Sequence, residues 1–292
     1  MDLNGDGNID ILSGSYSHHE QPMAGLFQVL WGKPDGTWGA AAPLLGDNGE
    51  KLIVTPQRGD DADLDRICTR AFAVDLDDDG KLDLVTGNFG GTFAVFAGLG
   101  GGKFASKNTW LERDGKSLEV PHHSDPFFVD WDGDGDSDML SGSSDGGVFL
   151  FVNEGSKKAA RWGARQTLYE GQRSGMPVVG ENGPEVQFGE AHVKAPAGST
   201  RVWVADVDGD GKLDLLVGDQ TTITKPAKGL TEAEARQQLA EWQKAMQKLF
   251  ESEQKEGADQ EAAGKAFQKH WEAKAKIVDE AATGFVWLLR QK

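Results

Sequence analysis

Asp130-Trp131-Asp132-Gly133-Asp134-Gly135-Asp136-Ser137-Asp138 places carboxylates at positions 1, 3, 5 and 9 of a nine-residue run, with Gly at position 6. The pattern recurs as Asp2-Leu3-Asn4-Gly5-Asp6-Gly7-Asn8-Ile9-Asp10, as Asp75-Leu76-Asp77-Asp78-Asp79-Gly80-Lys81-Leu82-Asp83, and as Asp206-Val207-Asp208-Gly209-Asp210-Gly211-Lys212-Leu213-Asp214. A hard cation such as calcium takes several oxygen ligands from a short, sharply turning loop whose alternate side chains point inward. Glycine at position 6 permits the turn that a Cβ would hinder. A single acidic nonamer is an ordinary solvated turn. Four of them, each beside apolar strand-like runs, form a repeat.

An EF-hand carries a bidentate Glu at position 12 and lies between helices. Here position 12 is Ser13, Thr86, Ser141 and Val217, and the flanks are β-rich, which also argues against a dockerin-type loop. The loops are followed by Ile9-Asp10-Ile11-Leu12-Ser13-Gly14, Leu82-Asp83-Leu84-Val85-Thr86-Gly87, Ser137-Asp138-Met139-Leu140-Ser141-Gly142 and Leu213-Asp214-Leu215-Leu216-Val217-Gly218. Loop and sequel together resemble the FG-GAP/VCBS repeat of integrin-alpha-like β-propellers, over most of residues 1–224 and the last ten or so. The resemblance implies an all-β propeller, with about four to five blades visible, in which the loop joins the first two strands of a blade. It also implies up to four calcium ions.

The expected side-chain ligands are Asp2, Asn4, Asp6 and Asp10; Asp75, Asp77, Asp79 and Asp83; Asp130, Asp132, Asp134 and Asp138; and Asp206, Asp208, Asp210 and Asp214. Position 7, held by Asn8, Lys81, Asp136 and Lys212, is expected to contribute its backbone carbonyl, because a lysine ammonium cannot coordinate a cation. Loss of a ligand in Asp79→Ala should therefore matter. Asp78→Ala, at the outward-pointing position 4, should be nearly silent.

The loop starts at 2, 75, 130 and 206 are blade-sized periods with variable insertions. Blade one continues through Leu26–Trp31 to a Pro34-Asp35-Gly36 hairpin turn. Residues 46–70 are polar and aperiodic, an excursion over one face. Blade two turns at 98–102, where the glycines suggest a hairpin because no helix pattern follows them. Blade three runs through Val148–Asn153, and residues 171–200 read as a long loop with one strand near Val186-Gln187-Phe188. From Thr231 the composition turns helical, with a Thr231/Glu234 capping box. One stripe runs Ala235, Leu239, Trp242, Met246, Leu249, and a second, after a break at 256–259, runs Ala263, Phe267, Trp271, Val278, Ala281. This is an antiparallel helical hairpin over 225–282, inserted in the last blade, with 283–292 returning as a final strand. Its aromatic residues form its own seam.

The net charge is −17 over 292 residues, with 39 glycines and one cysteine. The charge argues against nucleic acid and anionic membrane surfaces as partners, and no long apolar run predicts membrane insertion. Cys68 alone gives no disulfide framework. Calcium loops need ample free calcium, which places the expected protein outside the cell or in the periplasm. Asp2 has no strand before it, whereas the other loops do, so the expected natural chain extends upstream of Met1 and any targeting signal lies there.

Gly142-Ser143-Ser144-Asp145-Gly146 matches a nucleophile elbow in form, but a strand pattern follows it where the elbow requires a helix. His18-His19 and His122-His123 read as surface and strand-end residues, with a shared ligand site as the sharper alternative. No catalytic residue is assigned. The expected function is a non-catalytic binding module for an extracellular protein or carbohydrate. The alternative is a secreted polysaccharide lyase or hydrolase on a calcium-stabilised propeller, since fold alone does not decide function.

Overall fold

The computed structural model describes residues 1–16, 25–57, 59, 62–171, 187–253 and 260–291. It is rich in antiparallel sheets, none closed on itself, and two helices follow late in the chain. Sheet I pairs Ile11–Ser13, Gln28–Leu30 and Ala42–Pro43. Sheet II pairs Arg70–Val74, Asp83–Gly87, Phe93–Gly100 and Lys103–Trp110 in that order. Sheet III pairs Asp125–Val129, Asp138–Gly142, Val148–Phe151 and Gln166–Tyr169. Sheet IV joins Gly198–Ala205 to Asp214–Pro226, which also pairs Val278–Thr283 and Val286–Leu289. In sheets II to IV the acidic nonamer links the first strand to the second.

The chain divides into two compact units, the first being Met1–Gln172, Ala197–Asp219 and Val286–Lys292. Within it, period-2 alternation gives each strand two apolar faces, and the core is the filling between successive sheets. Val29 and Phe27 of sheet I meet Leu84 and Phe96 of sheet II; Val85 and Phe93 meet Met139 and Phe151; Leu140 and Leu150 meet Leu215 and Val217. Edge-on ring pairs, Phe27–Phe96 at 5.7 Å and Phe93–Phe151 at 6.0 Å, cross two of these seams. The polar stretch after residue 46 is no mere excursion: its Leu52 and Val54 are buried in the first seam.

The sheets are also locked by backbone. Thr69, Ser124 and Thr200 each stand six residues before a loop. Their hydroxyls accept the N–H of Ser15, Asn88 and Ser143 in the preceding sheet, at 2.8–3.0 Å. Their own N–H groups donate to the carbonyls of those same residues, at 2.9–3.0 Å. The approach leaves no room for a side chain. A Cβ on Gly14, Gly87 or Gly142 would lie 1.9, 2.1 or 2.1 Å from the carbonyl oxygen of Thr69, Ser124 or Thr200. Gly142→Ala should therefore force sheets III and IV apart and destabilise by about 1–3 kcal/mol, the usual cost of overpacking. Thermal melting checks this, and a melting point equal to wild type would refute the lock.

One ion pair bridges sheets III and IV, Arg201 Nη1 to Asp125 Oδ2 at 3.0 Å. Burial pushes the Asp125 carboxyl up to about 6, while the guanidinium of Arg70 opposes the shift. An acid raised on folding contributes stability at low pH that is lost as pH rises through about 6. Asp125→Asn should accordingly gain on wild type between pH 5 and pH 8 by roughly 1–3 kcal/mol, as urea melts at several pH values would measure. A constant difference across that range would sink the assignment.

The second unit, Arg173–Pro196 and Gln220–Phe285, holds the helices. α1 (Glu232–Glu253) opens on the expected capping box: Glu234 N–H donates to Thr231 Oγ1, and Thr231 N–H to Glu234. α2 (Gln260–Lys274) runs back along it, with Trp242 stacked on His270 at 4.8 Å and Phe250 tilted against Phe267 at 4.9 Å. The Trp242 indole N–H donates to the His270 carbonyl. The aromatic residues thus form an internal seam, as expected.

The structure departs from the sequence pattern at two places. Val278 and Ala281 do not continue the second helix: Val278–Thr283 is a strand pairing Thr221–Pro226. Their spacing fits 3.6, yet a turn at Lys274–Ile277 ends α2 before them. Val186 lies outside the described residues, and Gln187 and Phe188 are not strand. Phe188 instead packs on α1, under the Arg236 guanidinium. No helix among the described residues is long and apolar enough to cross a membrane.

Candidate metal-binding loops

All four nonamers fold on one hydrogen-bond plan. The carboxylate at position 1 receives backbone N–H groups from positions 4 to 6. Asp206 accepts from Gly209 (2.7 Å), Asp210 (3.1 Å) and Gly211 (3.0 Å). Asp2 accepts from Gly5, Asp6 and Gly7, Asp130 from Gly133 and Gly135, and Asp75 from Asp79 and Gly80. Position 5 then accepts the N–H of position 7 in every loop. Such coils need left-handed backbone at positions 4 and 6, and glycine supplies it throughout except at Asp78, where φ is 57°.

Position 9 does something the sequence pattern did not announce. Asp10, Asp83, Asp138 and Asp214 are buried, at 4, 9, 0 and 1 % exposure. One oxygen of each accepts the N–H of position 2, from Leu3, Leu76, Trp131 or Val207, at 2.8–3.2 Å. The other accepts an N–H from beyond the second strand, from Gly32, Gly98 or Asn153 at 2.7 Å, or from Gln291 at 3.1 Å. This residue staples the loop to its sheet. Burial pushes the carboxyls of Asp83 and Asp138 up against these N–H groups, which pull them down.

The remaining carboxylates gather in the loop mouths. Oxygens of Asp75, Asp77 and Asp79 lie within 4.8 Å of one another, as do those of Asp206, Asp208 and Asp210, and those of Asp130, Asp132 and Asp138. The first loop gathers no such carboxylate trio among the described residues; there the Asn4 and Asn8 amides donate to Asp6. The Asn8 backbone N–H chiefly, helped by these two amides, holds the Asp6 carboxyl down. In the second loop the Lys81 ammonium pairs with Asp79 at 2.5 Å, which lowers Asp79 and raises Lys81. The third loop is the most strained electrostatically. Asp136 is buried at 7 % exposure, its Oδ1 has no hydrogen-bond partner, and burial with the charges of Asp134, Asp138 and Asp132 raises its carboxyl. Gathered carboxylate oxygens are the ligand type that hard cations take.

The other candidates fold into structure. His18 and His19 lie outside the described residues. His122 and His123 both adopt left-handed backbone, with the His123 ring 4.4 Å from Phe89, and burial lowers His123. Ser144 sits in a turn, donating its N–H to the His122 carbonyl, and the Ser143 hydroxyl donates to Asp145; strand Val148–Phe151 follows.

The family model of the FG-GAP-like repeat matches residues 130–217, which span the third and fourth loops. No curated protein matches the chain. Among solved structures, a chain of the Photorhabdus luminescens Tc holotoxin pore (mutation TccC3-D651A) is similar at 22% identity and a TM-score of 0.34. The match covers 74% of this chain and 8% of that one, a likeness too remote to bear on function. Residues 130–217 thus carry the FG-GAP-like repeat, and two further loops of the same pattern precede them at Asp2–Asp10 and Asp75–Asp83.

Proposed function

We propose that the four loops bind calcium and that the sheets form a β-propeller-type, non-catalytic module binding an extracellular or periplasmic protein or carbohydrate partner. The observation that carries the metal reading is the gathering of carboxylate trios within 4.8 Å in three loops of one plan. Positions 1, 3, 5 and 9 would supply side chains, with Asn4 in the first loop, and Asn8, Lys81, Asp136 and Lys212 their carbonyls. The ion would neutralise the crowded carboxylates and stiffen the loops that join the sheet strands. FG-GAP repeats support binding over chemistry, and no helix described spans a membrane.

The left-handed backbone at Asp78 changes the expected control. Asp78→Ala, nearly silent by sequence alone, should cost about 1 kcal/mol because alanine tolerates positive φ poorly. Asp78→Gly is the silent variant. Asp79→Ala removes a ligand and should weaken calcium binding, read by titration calorimetry, with Asp78→Gly unchanged. Equal affinities for those two variants would mean the loop is an acidic turn. A screen against glycans and common lyase and hydrolase substrates tests the rest. Turnover by the purified chain would replace the binding reading with an enzymatic one.

A further inference from the structure

We infer that the first, second and fourth loops each hold a resident donor on a carboxylate that calcium would take, so that calcium fills the third loop first and meets a competitor in the others. The inference rests on the calcium reading proposed above and ranks its sites. In the second loop the Lys81 ammonium lies 2.5 Å from Asp79 Oδ2, and the Lys81 N–H donates to Asp79 Oδ1 at 2.9 Å. One residue thus engages both oxygens of position 5, a member of that loop's carboxylate trio. The fourth loop has a cation from further along the chain. Arg290 Nη1, just past the last strand, lies 3.3 Å from Oδ2 of Asp208, again a member of the trio. The first loop uses amides: Asn4 Nδ2 donates to Asp6 Oδ2 at 3.1 Å and Asn8 Nδ2 to Asp6 Oδ1 at 2.9 Å.

The third loop is built the other way. Among the described residues no Lys or Arg pairs with its carboxylates. Position 7, which is Asn8, Lys81 or Lys212 elsewhere, here adds a fifth carboxylate, Asp136. Asp136 is 7 % exposed, and its Oδ1 has no hydrogen-bond partner. Counting Asp and Lys over the nine residues, the third loop carries −5, the second −4, and the first and fourth −3 each. Calcium affinity in acidic loops follows the charge count of the site. An exposed ion pair is weak, so Lys81 and Arg290 yield to a dication rather than bar it. Each tethered charge lowers the affinity of its loop by about three- to tenfold, through the pair it must give up and its repulsion of the ion. The third loop is therefore loaded at low free calcium, and the others respond only as calcium rises.

Calorimetric titration of the full chain with calcium tests this. The wild-type chain is expected to take one ion tightly before the weaker ones. Asp134→Ala, a change at an exposed ligand of the third loop, should remove that tight phase alone. Asp136→Asn keeps the position-7 carbonyl, drops the charge, and should weaken the tight phase by about three- to tenfold. Lys81→Met and Arg290→Met keep an apolar stem without the charge, so each should tighten one of the weaker ions by about the same factor. A wild-type chain that binds no calcium would overturn the calcium reading and this ranking with it. Calcium bound with a single affinity at every site, a tight phase that survives Asp134→Ala, or weaker phases unmoved by both methionine variants would overturn the ranking alone and leave the calcium reading standing.

Discussion

Asp138→Ala is expected to destabilise the metal-free protein by about 3–5 kcal/mol, the range for stripping one partner from a buried charged network. The Asp138 side chain is fully buried and accepts N–H groups from Trp131 (2.9 Å), Asp132 (3.3 Å) and Asn153 (2.7 Å). Alanine leaves those three donors in a dry site, and each orphaned donor costs about 1–3 kcal/mol before the structure relaxes. The loop would lose its tie to the third strand of its sheet. Asp134 provides the contrast. It is exposed, and its side chain accepts the Asp136 N–H at 3.0 Å, so Asp134→Ala should be nearly neutral in chelator and costly only in calcium. Denaturant melts of both variants in chelator decide the point. If the two fall equally there, position 9 is a ligand and nothing more.

That distinction marks where sequence reading ended. The nonamers, their glycines and their β flanks were legible because a coordinating loop constrains side chains locally, at fixed spacing. The second partner of position 9 was not, because Gly32, Gly98, Asn153 and Gln291 lie 22, 15, 15 and 77 residues further on. The hydroxyls of Thr69, Ser124 and Thr200 were missed for the same reason. Their signal, a Ser or Thr six residues before each of the last three loops, was present but needs the packed sheets to acquire a meaning. The helices were found from their period and capping box. The end of α2 was not, since apolar residues three or four apart also occur where a helix stops and a strand begins. Val278 is placed by pairing with Pro226, across an insertion of some fifty residues.

Calcium removal should produce the other large effect, and its pH dependence has a sign that tests the loops themselves. Binding to the folded state alone stabilises by about 2.7 kcal/mol per site when free calcium is a hundredfold above its dissociation constant. For a chain of this size that is roughly 5–10 °C in melting temperature per site, so chelation should lower the melting point by more than any single substitution above. Without the ion, the carboxyls of Asp83, Asp136 and Asp138 stand above their ordinary value of 3.8, chiefly through burial. Acids raised on folding contribute stability at low pH that is lost as pH rises through their folded values, so from these groups the metal-free protein gains as pH falls from neutral toward 4. Asp6 and Asp79, held below 3.8, act the other way only at still lower pH. With calcium bound the slope should reverse, because ligand carboxylates must be deprotonated and acid expels the ion. Asp125 adds the same slope to both states and cancels in the difference. Melting curves from pH 7 to 5, with calcium and with chelator, should therefore converge as pH falls. Parallel curves, or no response to chelation at pH 7, would reduce these loops to acidic turns held by their own backbone.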